Sequence, residues 1–279
     1  VISHKHTYLL TTHINTFMSI YDKQYWNYKK YITKPLDKFP TTGIVVKLSG
    51  GADSSIVYYR LCYEIAKRKL NLPIYVATLD PETKDWYSHY AKKVIKFTEE
   101  QTGVKPVEHR IVKLPLPWGL EDYSKVQDEI QFSFMRDGLA NVYYGGLTQN
   151  PDLNIQARTA FKVPGTTFRS LDEALKLSYE AADPTRKAST RFAIGYGRPA
   201  NVDVPEYLGI LPFVHQDKKE GTAAMYAEMG VTDDLLPLTY SCEERRPSEK
   251  QKLGIVDGYQ EYSHCGKCWF CMERAYAFG

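Results

Sequence analysis

GIVVKLSGGADSS, residues 43–55, decides the fold of this chain. Gly43 to Leu48 is a short, almost unbroken apolar run rich in β-branched residues, the pattern of a strand buried on both faces. Helical spacing begins just beyond it and continues to about Lys69, so Ser49-Gly50-Gly51-Ala52-Asp53-Ser54 is a strand-to-helix turn. Gly50 and Gly51 let the backbone come close to a bound group. The first N–H groups of a helix lack carbonyl partners and, with the helix dipole, favour an anion. Hydroxyls of Ser49, Ser54 and Ser55 add donors for phosphate oxygens. Asp53 would repel a polyphosphate unless Mg2+ lay between them, so its presence implies that ion.

Outward from this turn, apolar runs alternate with periodic stretches. Strands are predicted at residues 43–48, 73–79, 107–114, 141–145 and 209–214. Helices are predicted to about residue 69 and over 87–102, 122–139 and 218–230. That alternation implies an α/β fold with a doubly wound parallel sheet. Ligands of such sheets sit beyond the carboxyl ends of the strands. Asp80, just after the second strand, and Gly145, at the end of the fourth, therefore join the nucleotide-binding candidates. Residues 1–42, with Tyr and Lys interleaved, read as an N-terminal extension that packs as a helix in preference to stacking on nucleic acid. Residues 150–206, rich in Arg, Thr, Pro and Gly around a predicted helix at 171–181, read as an insertion over the site.

Composition sets broad limits. A net charge of +3 on 279 residues neither announces nor forbids a nucleic-acid partner. No apolar stretch reaches the ~18 residues of a membrane span, and the first thirty residues lack the features of a secretory signal. The expected location is the cytoplasm. Thiols there stay reduced, and four of the five cysteines fall in the last 38 residues, so Cys242, Cys265, Cys268 and Cys271 read as ligands of one metal. Four thiolates suit structural zinc, with an iron–sulfur cluster as competitor. Cys62 reads as a small buried apolar residue.

The turn matches neither the kinase-type phosphate loop nor the dinucleotide-binding glycine pattern. It resembles the SGGxDS loop of the PP-loop ATP pyrophosphatases, which cleave ATP between the α and β phosphates and leave AMP on an acceptor. The resemblance implies an adenine nucleotide alpha hydrolase-like fold spanning residues 43–236, with Ser49, Gly50, Gly51, Asp53 and Ser54 on the pyrophosphate. Pro212 to Glu220 resembles a second element of that family, which implies a catalytic role for Lys218 beside Asp53; Arg136 is a further candidate contact. Leu238 to Cys242, followed by CGKCWFCMERAYAF at 265–278, resembles the C-terminal zinc segment of the 7-cyano-7-deazaguanine synthase family, here residues 237–279. The chain departs from that family after the second strand, where Asp80 continues as Pro81-Glu82-Thr83-Lys84, and in its long spacer between Cys242 and Cys265. The resemblance implies an ATP-dependent C–N ligase that uses ATP, Mg2+ and Zn2+, takes 7-carboxy-7-deazaguanine and ammonia to the nitrile, and forms a homodimer. Two other readings are a PP-loop enzyme that adenylates a tRNA base before sulfur or amine transfer, and a nucleotide-sensing module without turnover.

Overall fold

The computed structural model describes residues 36, 41–82, 86–115, 126, 129–130, 133–144, 208–210, 218–242, 249–266 and 268–278. The predicted N-terminal extension, apart from residues 36, 41 and 42, lies outside these residues, as do the insertion at 150–206 and Gly145.

The run that opens the domain forms strand β1 (Ile44–Lys47), and the turn after it leads into helix α1 (Ala52–Lys67). Strand β2 (Ile74–Pro81) is buried along its whole length. Helix α2 (Tyr87–Thr102) follows and ends where Gly103 turns left-handed, its N–H donating to the Glu99 carbonyl at 2.8 Å. Strands β3 (Glu108–Leu114), β4 (Val142–Tyr144) and β5 (Leu208–Ile210) complete the sheet, and helix α3 (Lys218–Met229) returns over it.

All five strands are parallel, in the order β3-β2-β1-β4-β5. Ile44 is in register with Ile74 on one side and Val142 on the other. Alternation along each strand sends Ile44, Val46, Val76 and Tyr144 to one face, where they pack on Ile56, Val57 and Leu61 of α1, Val94 of α2 and Met225 and Tyr226 of α3. Val45, Tyr75, Ala77 and Tyr143 go to the other, against Ile130, Phe134 and Met135, all three helical. Covered faces explain the continuous apolar runs, and the doubly wound sheet expected from the sequence is the one found. The chain winds outward from β1 to β2 and β3, then crosses back to β4 and β5. The winding thus reverses between β1 and β4, and the loop after β1 sits at that switch point, where open α/β sheets bind ligands.

A short helix α4 (Thr232–Leu235) and a 3-10 turn (Leu236–Leu238) carry the chain back to that loop. Beyond lie a two-stranded antiparallel hairpin, β6 (Lys252–Val256) and β7 (Tyr259–Tyr262), and a final helix α5 (Trp269–Phe278). Neither the hairpin nor α5 is expected from the sequence reading; the hairpin accounts for the long spacer between Cys242 and Cys265. No helix among the described residues is long and apolar enough to cross a membrane.

Candidate active site and adjoining metal centre

Gly50 has φ +74°, a conformation that L side chains rarely adopt, and a Cβ on it would stand 2.5 Å from Tyr90 Cβ and 2.8 Å from the Ala91 nitrogen. The loop therefore packs directly on the first turn of α2. Gly51 caps α1 in an extended conformation, φ −79° and ψ 158°. The nearest neighbours of a Cβ there would be Ser49 Oγ at 3.5 Å, the Tyr240 carbonyl oxygen at 3.7 Å and Ser241 Oγ at 3.8 Å, all ordinary contacts. The nearest neighbours of that position are all oxygens, at the positive end of a helix.

The serines of the loop brace it. Ser54 Oγ accepts from the Ser49 N–H at 3.2 Å, lies 3.2 Å from Ser49 Oγ and donates to the Gly51 carbonyl at 3.3 Å. Ser55 Oγ donates to the same carbonyl at 2.8 Å. Asp53, in the first helical turn, accepts from the buried Thr222 hydroxyl of α3 at 2.9 Å. Buried Tyr226, one turn further along α3, donates to the Ala52 carbonyl at 3.0 Å. Two turns of α3 thus hold α1 where it begins, and Lys218 is the first residue of α3.

The other sequence candidates are placed as follows. Asp80 is buried at the carboxyl end of β2 and accepts from the Ser88 N–H at 2.8 Å, fastening the first turn of α2 to the strand. Arg136 stands exposed in an ion pair with Glu129. Gly145 is outside the described residues. Three residues to which the sequence reading gave no role at the loop lie against it or its helix: Thr222, and Tyr240 and Ser241 of the Leu238–Cys242 segment. The Tyr240 N–H donates to the Gly50 carbonyl at 2.9 Å and Ser241 Oγ accepts from the Ala52 N–H at 3.3 Å. Thr222 is 169 positions from Asp53 and Ser241 is 189 from Ala52. Local motif reading has no access to such pairs.

Next to Ser241 begins the cysteine centre. Sγ atoms of Cys242, Cys265, Cys268 and Cys271 all lie within 4.8 Å of one another, with Cys242 to Cys268 at 3.9 Å and Cys265 to Cys271 at 3.8 Å. Four sulfurs at the Zn–S bond length around one tetrahedral ion stand about 3.8 Å apart. Around a four-iron cubane they would stand roughly 6 Å apart. The sulfurs are thus spaced for a single ion. The Cys268 N–H donates to Cys265 Sγ at 3.3 Å, a bond that a thiolate strengthens. Hydrogen bonding with Cys242 pushes the Cys268 thiol up to about 12, and Cys242 and Cys268 together raise Cys271. So many negative sulfurs share this space only if a cation neutralises them.

An aromatic shell joins the two centres. The rings of Tyr90 and Tyr240 stack at 5.0 Å, and Trp86 meets Tyr240 edge-on at 6.0 Å and Tyr262 at 5.4 Å. Burial, with Cys242 beside it, raises the Tyr240 hydroxyl far above its ordinary value, so it stays protonated. Arg274, the arginine of the C-terminal pattern, donates from α5 to Thr239 Oγ1 at 2.8 Å and the Leu236 carbonyl at 2.6 Å. It fastens α5 to the segment that reaches the loop.

No family model and no curated protein matches this chain. Solved structures similar to it include the U34-tRNA thiolase NcsA from Methanococcus maripaludis with its [4Fe-4S] cluster, at TM-score 0.41 and 14% identity over 78% of this chain and 68% of that one. The NMN synthetase from Francisella tularensis aligns at TM-score 0.33 and 16% identity over 77% of this chain and 73% of that one. The NAD+ synthetase from Burkholderia pseudomallei aligns at TM-score 0.30 and 12% identity over 78% and 91%. Likenesses at this level carry nothing about the chemistry of this chain.

Proposed function

We propose that this chain is a PP-loop ATP pyrophosphatase that activates a carboxylate by adenylation, and that its acceptor is 7-carboxy-7-deazaguanine, converted with ammonia to 7-cyano-7-deazaguanine. The observation that carries the ATP reading is the turn before α1 at the switch point of the sheet, whose Gly51 is demanded neither by its backbone angles nor by a clash with the protein. The acceptor rests on the resemblance of the Leu238 to Cys242 and 265–278 segments.

A carboxylate resists amination because oxide is a poor leaving group. When its oxygen attacks the α phosphorus, the bond to the β-phosphate oxygen breaks, pyrophosphate leaves and an acyl-adenylate forms. Ammonia then displaces AMP to give the amide. A second adenylation, at the amide oxygen, lets AMP depart with that oxygen as protons leave the nitrogen, giving the nitrile. Two ATP are thereby cleaved for each nitrile formed. The protein supplies alignment and charge neutralisation. First-turn N–H groups of α1 and the hydroxyls of Ser49 and Ser54 bind the departing diphosphate, and Lys218 adds positive charge. Mg2+ held at Asp53 would neutralise the same oxygens. Zn2+ on the four cysteines would staple the C-terminal segment to the domain.

The test is incubation of zinc-loaded protein with ATP, Mg2+, ammonium and 7-carboxy-7-deazaguanine, with products read by mass spectrometry. The expected result is AMP, pyrophosphate and a nitrile product, with two AMP per nitrile. AMP without nitrile would reject the acceptor and retain the ATP chemistry; neither product from folded, zinc-loaded protein would reject both.

A further inference from the structure

The cysteine centre and the phosphate loop are joined by three consecutive residues. Tyr240 donates its N–H to the Gly50 carbonyl, Ser241 takes the Ala52 N–H, and Cys242 is the first thiol of the metal site. The Tyr240 carbonyl and Ser241 Oγ are also two of the three atoms nearest to the position of a Cβ on Gly51. Residues 239–242 lie in neither helix nor strand, so their position depends on what grips them from outside. The grips come largely from the cysteine-bearing segment. The Ser241 N–H donates to His264 Nε2 at 3.2 Å, beside Cys265, and Arg274 holds Thr239 and Leu236 from α5, the helix that carries Cys271.

We propose that Ser241 is a phosphate-positioning residue, and that metal loading of the four-cysteine centre sets the affinity of the loop for nucleotide. The inference rests on reading the loop as an ATP site. Because its oxygen accepts from Ala52, the Ser241 hydroxyl can turn its own proton toward an anion above Gly51. A bound ion fixes Cys242, and with it the adjacent peptide, to within a fraction of an ångström. Loss of the ion releases Cys242, and residues 240–242 lose one of their anchors. The cradle is then no longer pre-organised, and ordering it is charged against nucleotide binding.

The experiment is calorimetric titration of the full chain with α,β-methylene-ATP and Mg2+, an analogue that the reaction cannot cleave. Metal-loaded wild type, chelator-treated wild type, and loaded Ser241→Ala and Ser241→Thr are compared, with metal content and circular dichroism recorded for each. Loss of one hydrogen bond to a charged oxygen weakens binding about tenfold. S241A is therefore expected to bind about tenfold more weakly with full metal content, and S241T to recover most of that loss. Chelated wild type that keeps its helical signal is expected to lose at least as much, and to regain it when Zn2+ is restored. Unchanged affinity in S241A overturns the positioning role, and unchanged affinity in folded, metal-depleted protein overturns the coupling. Where chelation unfolds the chain, Cys265→His, which keeps a zinc ligand while shifting the centre, takes its place, and unchanged affinity there overturns the coupling. Should loaded wild type bind no nucleotide, the ATP reading itself falls.

Discussion

Gly50 and Gly51 are neighbours that lack side chains for opposite reasons. At Gly50 the reason is internal: positive φ and the contact with Tyr90 and Ala91 leave no room for a Cβ. Gly50→Ala should destabilise the fold by about 2 kcal/mol or more, read as a lowered midpoint in urea. At Gly51 the backbone is ordinary and a Cβ would make only ordinary contacts, so on the proposed reading the demand for glycine comes from the ligand. Gly51→Ala should unfold within about 0.5 kcal/mol of wild type, yet bind an ATP analogue about tenfold more weakly. Equal binding by G51A would mean that no phosphate approaches Gly51. The glycines and serines were legible in the sequence because they are contiguous. Thr222 was not, because nothing local marks a threonine on α3 as the partner of Asp53. Its hydroxyl donates to one oxygen of that carboxylate, so on the proposed reading it would position Asp53 for Mg2+. Thr222→Val should raise the Mg2+ concentration needed for half-maximal AMP release about tenfold, with the acceptor KM unchanged. Thr222→Ser should restore it; equal Mg2+ dependence in all three would show that the hydroxyl only packs.

The hairpin shows how an element can hide in a sequence. Its turn carries a strong signal, Asp257-Gly258, with φ +50° and +81°, between the paired residues Val256 and Tyr259. Asp-Gly with both residues at positive φ is the preferred two-residue hairpin turn. The strand signal fails because β6 buries no face: Leu253 and Ile255 are 66% and 73% exposed. A strand without a buried face leaves no alternation to detect. The hairpin is held by its polar partner strand instead. Glu261 accepts from His89 Nε2 at 2.9 Å and from Lys93 Nζ at 2.6 Å, while the Tyr259 ring stacks on His89 at 4.8 Å. Burial raises the Glu261 carboxyl, but Lys93 and His89 outweigh it and hold the group below its ordinary value. Glu261→Gln keeps the shape and removes the charge, so it should weaken this attachment by about 1 kcal/mol. The expected sign is faster amide exchange in β6 and β7 with unchanged protection in β1 and β2; uniform exchange across both would show that the hairpin and sheet open as one unit.

At the scale of the whole molecule, the parallel sheet was legible because burial on both faces writes long apolar runs, whereas the bonds that cross it are polar and scattered. One of them links three strands. Thr78 of β2 donates to the Leu48 carbonyl, where β1 enters the phosphate loop, at 2.6 Å, and lies 2.8 Å from His109 Nε2 of β3. Since Thr78 has one proton and gives it to Leu48, the histidine must donate, which fixes its neutral form as the Nε2–H tautomer. Burial, helped by Lys92 of α2, pulls His109 down to about 4 from an ordinary value of 6.5. The sign of the linkage follows. Between these values the unfolded chain binds a proton that the folded chain refuses, so stability is complete above about pH 6.5 and is lost as pH falls toward 4. For this one group the loss is at most about 3 kcal/mol. His109→Gln keeps an N–H donor for Thr78 and cannot titrate, so its stability should fall less steeply across that interval. Other acid-sensitive groups, Glu261 among them, are common to both proteins and cancel in the difference. Urea unfolding at pH 7, 6, 5 and 4 should therefore show the two curves diverging as the solution is acidified, with H109Q gaining on wild type. Parallel curves would mean that the imidazole is solvated, and that the link between the edge strand and the entry to the phosphate loop does not persist in solution.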